Sequence, residues 1–128
     1  MILDTSAVVA ILFGEDEASA FLDRIHAADV CRLSVANRLE LAMVVESQIG
    51  PEGTHQADAF LARAGIVVEP VTLEQGEIAR RAFRAYGKGR HPAGLNFGDC
   101  FAYALAVATG EPLLFKGDDF ARTDVRRA

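Results

Sequence analysis

The stretch Met1-Ile2-Leu3-Asp4-Thr5-Ser6 predicts a short strand that stops at an acid and passes directly into a helix. Three consecutive apolar residues are typical of a strand covered on both faces of a sheet. Thr5 and Ser6 are favourable helix caps, and the apolar run 7–13 behind them predicts a core helix. Asp4 is therefore predicted at the carboxyl end of a strand, the edge of a parallel sheet where ligands bind.

Strand and helix patterns alternate through the rest of the chain. Further strands are predicted at the apolar or β-branched runs 30–33, 66–68 and 113–115. Apolar spacing with Gly and Pro stops predicts intervening helices at 15–28, 34–50, 54–64, 72–86 and 97–109. This alternation predicts an α/β fold in a single domain, 1–128, whose parallel sheet of about four strands is covered on both faces.

Composition narrows the class of protein. With 128 residues, 51% of them hydrophobic and 24% charged, the chain has the balance of a soluble globular domain. No apolar run approaches the roughly 18 residues of a membrane span, and no basic segment precedes the first one. A cytoplasmic protein without a membrane segment is expected. Cys31 and Cys100 lack Cys or His partners at metal-ligand spacing, so both are predicted to be buried thiols.

Acidic residues follow the first and the last predicted strands. Asp4 ends the first strand, Gly117-Asp118-Asp119 turns the chain after the last, and Asp124 lies just beyond. Because the carboxyl ends of parallel strands share one edge of a sheet, these acids are predicted to lie close together. Taken singly, each is equally well explained as a turn or helix-capping residue.

Two more acids belong to helices. Glu40 is predicted inside a helix that is apolar nearly all round. A carboxylate in such surroundings needs a metal or an ion pair, for example with Arg38, because burying it uncompensated is strongly unfavourable. Asp99 stands three residues after Asn96, which is the spacing of a helix cap. A carboxylate in that first turn also projects into the crevice that the helix faces.

The acids together predict a metal centre. Carboxylates that crowd together raise one another's pKa and oppose folding unless a cation neutralises them. Ligation by oxygen alone suits Mg²⁺ or Mn²⁺ and not Zn²⁺, and no His or Cys competes for the position. Such a centre typically serves phosphoryl chemistry, in which the metal activates water and neutralises charge.

Basic residues are concentrated just ahead of Asp99. The formal net charge of −5 argues against nucleic-acid binding by bulk electrostatics, but phosphate contacts act locally. The Gly- and Pro-rich segment 88–96 is predicted to be an exposed loop that leads directly to Asn96 and Asp99. The alternative for its charges is a solvated loop. The candidate RNA contacts are Arg84, Lys88, Arg90 and His91.

Four blocks of the sequence, in this order and spacing, resemble the PIN-domain nucleases. They are Asp4-Thr5-Ser6-Ala7, the helix of Glu40, Asn96-Phe97-Gly98-Asp99-Cys100, and Leu113-Leu114-Phe115-Lys116-Gly117-Asp118-Asp119-Phe120 with Thr123-Asp124. The resemblance spans the entire chain. Within that family the chain is most similar to the VapC toxins of bacterial VapBC type II toxin–antitoxin systems.

The resemblance implies a PIN-like α/β/α sandwich with a short central parallel sheet. It also implies a Mg²⁺- or Mn²⁺-dependent endoribonuclease that cuts structured RNA, often transfer RNA, by metal-activated attack of water on a phosphodiester. Asp4, Glu40, Asp99 and a fourth acid would surround the metal. Asp4 and Asp99 would be direct ligands, and Glu40 would act through water.

For the fourth acid the family pattern favours Asp119, because the Asp-Phe pair fits it best, while Asp118 and Asp124 stay open. The resemblance also assigns supporting roles. Thr5 or Ser6 would steady the carboxylate of the first acid, and Asn96 that of the third.

A VapB-type antitoxin and a homodimer are further implications. An uncompensated carboxylate cluster is an electronegative pocket that a guanidinium fits through bidentate hydrogen bonds. The antitoxin is therefore expected to fold on apolar helix positions and to place an Arg or Lys among the acids. Candidate contacts, which a homodimer could also use and which are otherwise plain core, are Val8, Val9, Ile11, Leu12, Phe13 and residues 44–49.

The residues alone also allow two other classes of protein. A phosphatase or receiver-type phosphoryl protein also places an Asp after the first strand, and Lys116 could serve as the receiver lysine. A phosphatase of this kind requires a second Asp at the position of Ser6. A receiver-type protein has no role for Glu40 and Asp99. A non-catalytic binding module of the same fold would show loss of an acid, and none is missing.

Overall fold

The computed structural model describes residues 1–128 and contains four strands and six helices. The strands are β1 (Ile2–Leu3), β2 (Arg32–Ser34), β3 (Val67–Glu69) and β4 (Leu113–Leu114). The helices are α1 (Thr5–Leu12), α2 (Ala18–Ala27), α3 (Val35–Ile49), α4 (Pro51–Arg63), α5 (Leu73–Tyr86) and α6 (Phe97–Thr109), followed by a 3₁₀ turn at Phe120–Arg122. The predicted alternation of strands and helices is confirmed.

All four strands run parallel in the order β3-β2-β1-β4. Ile2 lies opposite Arg32 on one side and Leu113 on the other, so β1 is central. Because the strands share one direction, their carboxyl ends meet at one edge of the sheet. The chain leaves β1 at this edge through Asp4.

Two hydrophobic cores cover the two faces of the sheet. Ile2 packs with Leu105 and Phe115 in the core beneath α5 and α6. Its neighbour Leu3 points to the opposite face and packs with Leu33 beneath α1 to α4. This alternation of side chains follows from the pleat of a strand. The predicted three-layer α/β/α sandwich is therefore confirmed.

Three helix starts differ from the prediction, and one of them is that of α2, which begins at Ala18 and not at residue 15. Asp4 itself caps α1, because its Oδ2 accepts a hydrogen bond from Ser6 N at 2.9 Å, so the helix begins at Thr5 and not at residue 7. Helix α4 begins at Pro51 and not at residue 54. The fixed φ of proline suits a first helical position, and Gly50 before it takes a φ of 79° that other residues rarely adopt.

The prediction that α3 is apolar nearly all round is right for its composition but not for its burial. Its buried residues are Asn37, Leu41 and Val45, one stripe at helical spacing. Leu39 and Met43 are 63% and 65% exposed. An apolar surface therefore lies open along α3.

Among the residues predicted to contact a partner, Val8 and Val45 are buried in the core, so that prediction is wrong for both. They face the sheet because each lies on the inward stripe of its helix. Ile49 is exposed, and Val9, Ile11, Leu12 and Phe13 are partly buried. None of the helices combines the length and the apolar character that a membrane crossing requires.

Candidate active site

Asp4 is buried at the carboxyl end of β1, where one of its carboxylate oxygens accepts hydrogen bonds and the other has no partner. Its Oδ2 accepts hydrogen bonds from Ser6 N at 2.9 Å and from Ser6 Oγ at 2.5 Å. Its Oδ1 is buried and has no hydrogen-bond partner. Burial raises the pKa of Asp4 to about 6 despite those bonds, and the nearby charge of Glu40 raises it further. The free oxygen can accept a cation or a proton.

Ser6 ties the first acid to the end of β4. Its Oγ donates to Asp4 and accepts from the backbone N–H of Lys116 at 3.0 Å. Of the two residues predicted to steady this carboxylate, Ser6 is therefore the one whose side chain touches it. The Thr5 hydroxyl instead donates to the backbone oxygen of Asn37 at 3.3 Å. Thr5 joins α1 to α3.

Asp99 occupies the first turn of α6 and is also buried. Its Oδ2 accepts from Asn96 N, and its own N–H donates to Asn96 Oδ1, both at 2.9 Å, which forms a capping box. Burial raises the pKa of Asp99 to about 7, and the charges of Asp4, Asp119 and Glu40 contribute to the rise. Four acids from four separate parts of the chain therefore lie within electrostatic reach of one another.

Glu40 reaches the same place from α3. Its carboxylate lies against Gly98, where a Cβ would come within 1.8 Å of Glu40 Oε2. The ion pair considered between Glu40 and Arg38 does not form, because Arg38 instead pairs with Asp58 at 3.0 Å. Glu40 thus faces the first turn of α6 without a basic partner.

Asn37 is a site residue that the sequence analysis missed. Its fully buried amide nitrogen donates to Gly98 O at 3.0 Å and lies 3.4 Å from Thr5 Oγ1 and 3.5 Å from Glu40 Oε1. It therefore connects α1, α3 and α6 beside the acids. The available signal was a lone amide one helical turn before Glu40 in an otherwise apolar run.

The three aspartates considered for the fourth position have different surroundings. Asp119 precedes the 3₁₀ turn and raises the pKa of Asp99 through its charge. Asp124 accepts a hydrogen bond from Tyr103 Oη at 2.7 Å. Asp118 and Asp119 are both exposed, but the charge of Asp118 is not among those that act on Asp99.

The acids supply the donor chemistry of a hard cation. Carboxylate oxygens are the ligands that Mg²⁺ and Mn²⁺ prefer, and the unpartnered Oδ1 of Asp4 offers one. No three His, Cys, Asp or Glu side chains converge closely enough to form a coordination sphere. The site thus fits a divalent cation in donor type and in uncompensated charge, while its side chains are spread around it.

The predicted RNA contacts lie in the last turn of α5 and in the loop that joins it to α6. Arg84, Lys88 and Arg90 are exposed. His91 is turned inward: its Nδ1 accepts from Ala93 N at 3.0 Å, and its ring packs edge-on against Tyr86 with centroids 5.2 Å apart. His91 therefore shapes the loop.

Lys116 follows β4, but its ammonium group forms ion pairs with both Glu15 and Glu17. Lys116 therefore lies among acidic residues of the loop that joins α1 to α2. A receiver-type protein would need this lysine free to meet a phosphoryl group, so its pairing weakens that alternative.

Comparisons with known proteins identify the family and the fold of the chain. The family model described as PIN domain matches residues 1–126. Ribonuclease VapC28 of Mycobacterium tuberculosis is 52% identical over 129 residues, covering 100% of this chain and 97% of that protein. The solved structure of M. tuberculosis VapC20, described as a sarcin-ricin loop cleaving toxin, superposes with a TM-score of 0.79 at 19% identity, covering 99% of this chain and 97% of the other.

A second solved structure, which is a complex, also contains a chain of this fold. The structure of VapBC2 from Rickettsia felis, bound to a DNA fragment from its promoter, matches with a TM-score of 0.71 at 19% identity, covering 98% of this chain and 94% of the other. The two structural likenesses concern the fold, whereas the 52% identity to VapC28 concerns the family. The chain belongs to the PIN-domain family, and within it to the VapC ribonucleases.

Proposed function

We propose that this chain is an endoribonuclease toxin that depends on Mg²⁺ or Mn²⁺ and cuts structured RNA, with transfer RNA as the expected substrate. The observation that carries the proposal is the open, buried Oδ1 of Asp4 within electrostatic reach of Glu40 and Asp99. When bound, the cation lowers the pKa of a water molecule and neutralises charge on the phosphodiester. The matching VapC proteins support ribonuclease activity.

The acidic residues and their neighbours have separate roles in the proposed reaction. Asp4 and Asp99 would hold the cation, and Glu40 would act through water. Asp119 is the fourth acid, because its charge acts on Asp99. Ser6 fixes the Asp4 carboxylate, and Asn96 fixes the backbone turn that presents Asp99.

The direct test uses purified protein with defined transfer and ribosomal RNAs, in Mg²⁺, in Mn²⁺ or in EDTA. We expect cleavage at a few positions with either cation and none in EDTA, and sequencing of the cut ends identifies the sites. Absence of cleavage of every RNA in both cations would overturn the proposed function. Binding of beryllium fluoride at Asp4 would instead support a phosphoryl-accepting protein.

Gly98→Ala is expected to reduce cleavage by about ten- to a hundredfold, because the new methyl group displaces the Glu40 carboxylate by an ångström or more. The fold should remain, since the displaced group is the flexible end of a side chain and Ala is a better helix former than Gly. Cleavage rates and thermal melting measure the two effects.

A double-mutant cycle checks this cause. Once Glu40→Gln has been introduced, Gly98→Ala should add little further loss, because both changes act on one group. Independent, additive losses would show that Gly98 acts by some route other than Glu40.

The double substitution Lys88→Ala with Arg90→Ala is expected to weaken RNA binding and flatten its salt dependence. Each lost phosphate contact should lower the slope of log K against log salt by about 0.7–0.9. The matched control is Arg24→Ala with Arg63→Ala, which removes the same charge from α2 and α4. A slope that changes equally in both double variants would place the RNA elsewhere.

We further propose that the chain works in the cytoplasm as a homodimer with a VapB-type antitoxin. The antitoxin is expected to cover the exposed apolar stripe of α3 and to place an Arg or Lys among the acids, where a guanidinium can pair with two carboxylates. Folding of a disordered tail costs entropy, so a large apolar contact is needed as well.

Co-expression with the open reading frame immediately upstream tests the antitoxin. We expect its product to co-purify and to suppress RNA cleavage, and Leu39→Asp with Met43→Asp to weaken the complex. If the product neither co-purifies nor suppresses cleavage, the toxin–antitoxin assignment fails even where the nuclease assignment stands.

A further inference from the structure

A cleft of about 510 Å³ opens between α5 and the first turn of α6. Aromatic rings form its walls, and guanidinium groups stand at its rim. The residues that matter here are Phe83, Phe97, Phe101, Arg80, Arg84 and Arg90. Phe97 and Asp99 both belong to the first turn of α6, but residues two apart point to different sides of a helix, so the cleft lies on the α5 side of that turn and the acids lie on another.

Phe97 is the unusual member of this set. It is the first residue of α6 and is 80% exposed, so it contributes little to the core. Its ring packs against Phe101 at 78° with centroids 4.9 Å apart. A large aromatic surface is thus held in place at the end of the helix that carries Asp99 and is left open to solvent.

Two of the three arginines that line the cleft have no carboxylate partner. Arg80 pairs with Glu77 at 3.2 Å, whereas neither Arg84 nor Arg90 forms an ion pair. The Arg90 guanidinium lies 5.2 Å from the centroid of the Phe83 ring, a cation–π arrangement that holds it over the cleft. In a chain of formal net charge −5, this is positive charge concentrated next to exposed aromatic surface.

We propose that this cleft binds an unpaired nucleobase of the RNA substrate, stacked on Phe97, with Arg84 and Arg90 contacting the flanking phosphates. The inference rests on the proposed ribonuclease function and specifies its substrate. Single-stranded RNA is held by aromatic rings on which bases stack and by Arg groups along the backbone. Both elements are present here, and the charge is complementary to RNA.

The placement has a consequence for specificity. A base that enters the cleft has to leave its helical stack, so an RNA strand that also presents a bond to Asp4 and Asp99 carries an unpaired nucleotide close to that bond. Loops and bulges of structured RNA meet this requirement, and uninterrupted duplex does not. The cleft would therefore select the cut site by RNA shape as well as by sequence.

The test compares Phe97→Ala with the wild-type protein in EDTA, where RNA is bound without cleavage. The probes are a short single-stranded oligoribonucleotide of mixed sequence and the same oligomer with abasic positions. We expect Phe97→Ala to weaken binding of the intact oligomer about tenfold, since one stacked base contributes roughly 1–3 kcal/mol. Binding of the abasic oligomer and the salt slope should not change.

Two further variants sharpen the comparison. Leu73→Ala is the control, because Leu73 is 94% exposed at the start of α5 and does not line the cleft. Phe97→Trp provides a reporter, since the chain contains no other Trp. Its fluorescence should be quenched by the intact oligomer and not by the abasic one.

Three results would overturn the base site. Phe97→Ala could bind the intact oligomer as tightly as the wild type, or lose both oligomers equally. It could also change sedimentation from dimer to monomer with RNA affinity unaltered, which would make the cleft an interface between copies of the chain.

Wild-type cleavage in Mg²⁺ separates this proposal from the proposed function. If wild-type protein cuts RNA and Phe97→Ala binds and cuts it equally well, the base site fails and the nuclease stands. If wild-type protein cuts no RNA but Phe97→Trp is quenched only by the intact oligomer, the nuclease fails and the base site stands.

Discussion

Asp4→Asn and Asp99→Asn are each expected to lower RNA cleavage about a thousandfold or more while leaving the fold intact. Asn has the shape of Asp and keeps an oxygen that can accept from Ser6 N in the first variant and from Asn96 N in the second. What it removes is the negative charge that a divalent cation requires. Cleavage rates in Mg²⁺ measure the loss, and circular dichroism checks the fold.

Neighbouring acids provide matched controls for this prediction. Asp119→Asn should reduce cleavage by about ten- to a hundredfold, because its charge acts on Asp99. Asp118→Asn should leave the rate near wild type, because Asp118 is also exposed but its charge does not act on Asp99. Asp58→Asn on α4 disrupts an ion pair with Arg38 of α3 and should also retain activity. Full activity of Asp4→Asn or of Asp99→Asn would remove that carboxylate from the catalytic centre.

The position of Asp4 was predictable because it depends on local sequence. An apolar run that stops at an acid is a strand end in any α/β chain, and parallel strands bring their ends to one edge. Asp99 was predictable for a similar reason, since Asn96 three residues earlier marks a helix start. The error at α1 was also local: Asp, Thr and Ser all cap helices, and the structure uses the first of the three.

The contacts around Glu40 were not predictable from local sequence. That its carboxylate lies against Gly98 depends on how α3 packs on α6, two elements separated by more than a third of the chain. The same packing buries Asn37 and leaves Leu39 and Met43 exposed. Apolar composition alone cannot tell which stripe of a helix faces the sheet when every stripe is apolar.

The basic residues close to Asp99 in sequence have different surroundings in the fold, which charge alone does not show. His91 was grouped with Arg84, Lys88 and Arg90 because they are close in sequence. In the fold its imidazole accepts a backbone hydrogen bond and packs on Tyr86, which is a structural task. Phe97 shows the converse case: an aromatic residue at the start of an apolar helix suggests core, but Phe97 lies on the solvent side of the first turn of α6, whereas Asp99 and Cys100 of that turn are buried.

Asp4→Asn is also expected to stabilise the protein in EDTA at pH 8 by about 2–3 kcal/mol. The pKa of Asp4 is raised from 3.8 to about 6 in the fold, and each unit corresponds to about 1.4 kcal/mol. A raised carboxyl pKa contributes stability below the unfolded value, and that stability is lost as the pH rises through the folded value. Above about pH 7 the wild-type protein bears the full cost of a buried charge.

The advantage of Asp4→Asn should therefore shrink as the pH falls from about 6 towards 4, because the wild-type carboxyl group then takes up a proton. Chemical denaturation in EDTA across this range measures the difference, with Asp58→Asn as an exposed control that should show no such trend. Added Mg²⁺ should raise the melting temperature of the wild type and not of Asp4→Asn, since binding to the folded state alone is stabilising. A variant that is less stable than wild type at pH 8 would mean that the charge of Asp4 supports the helix α1 cap more than its burial opposes folding.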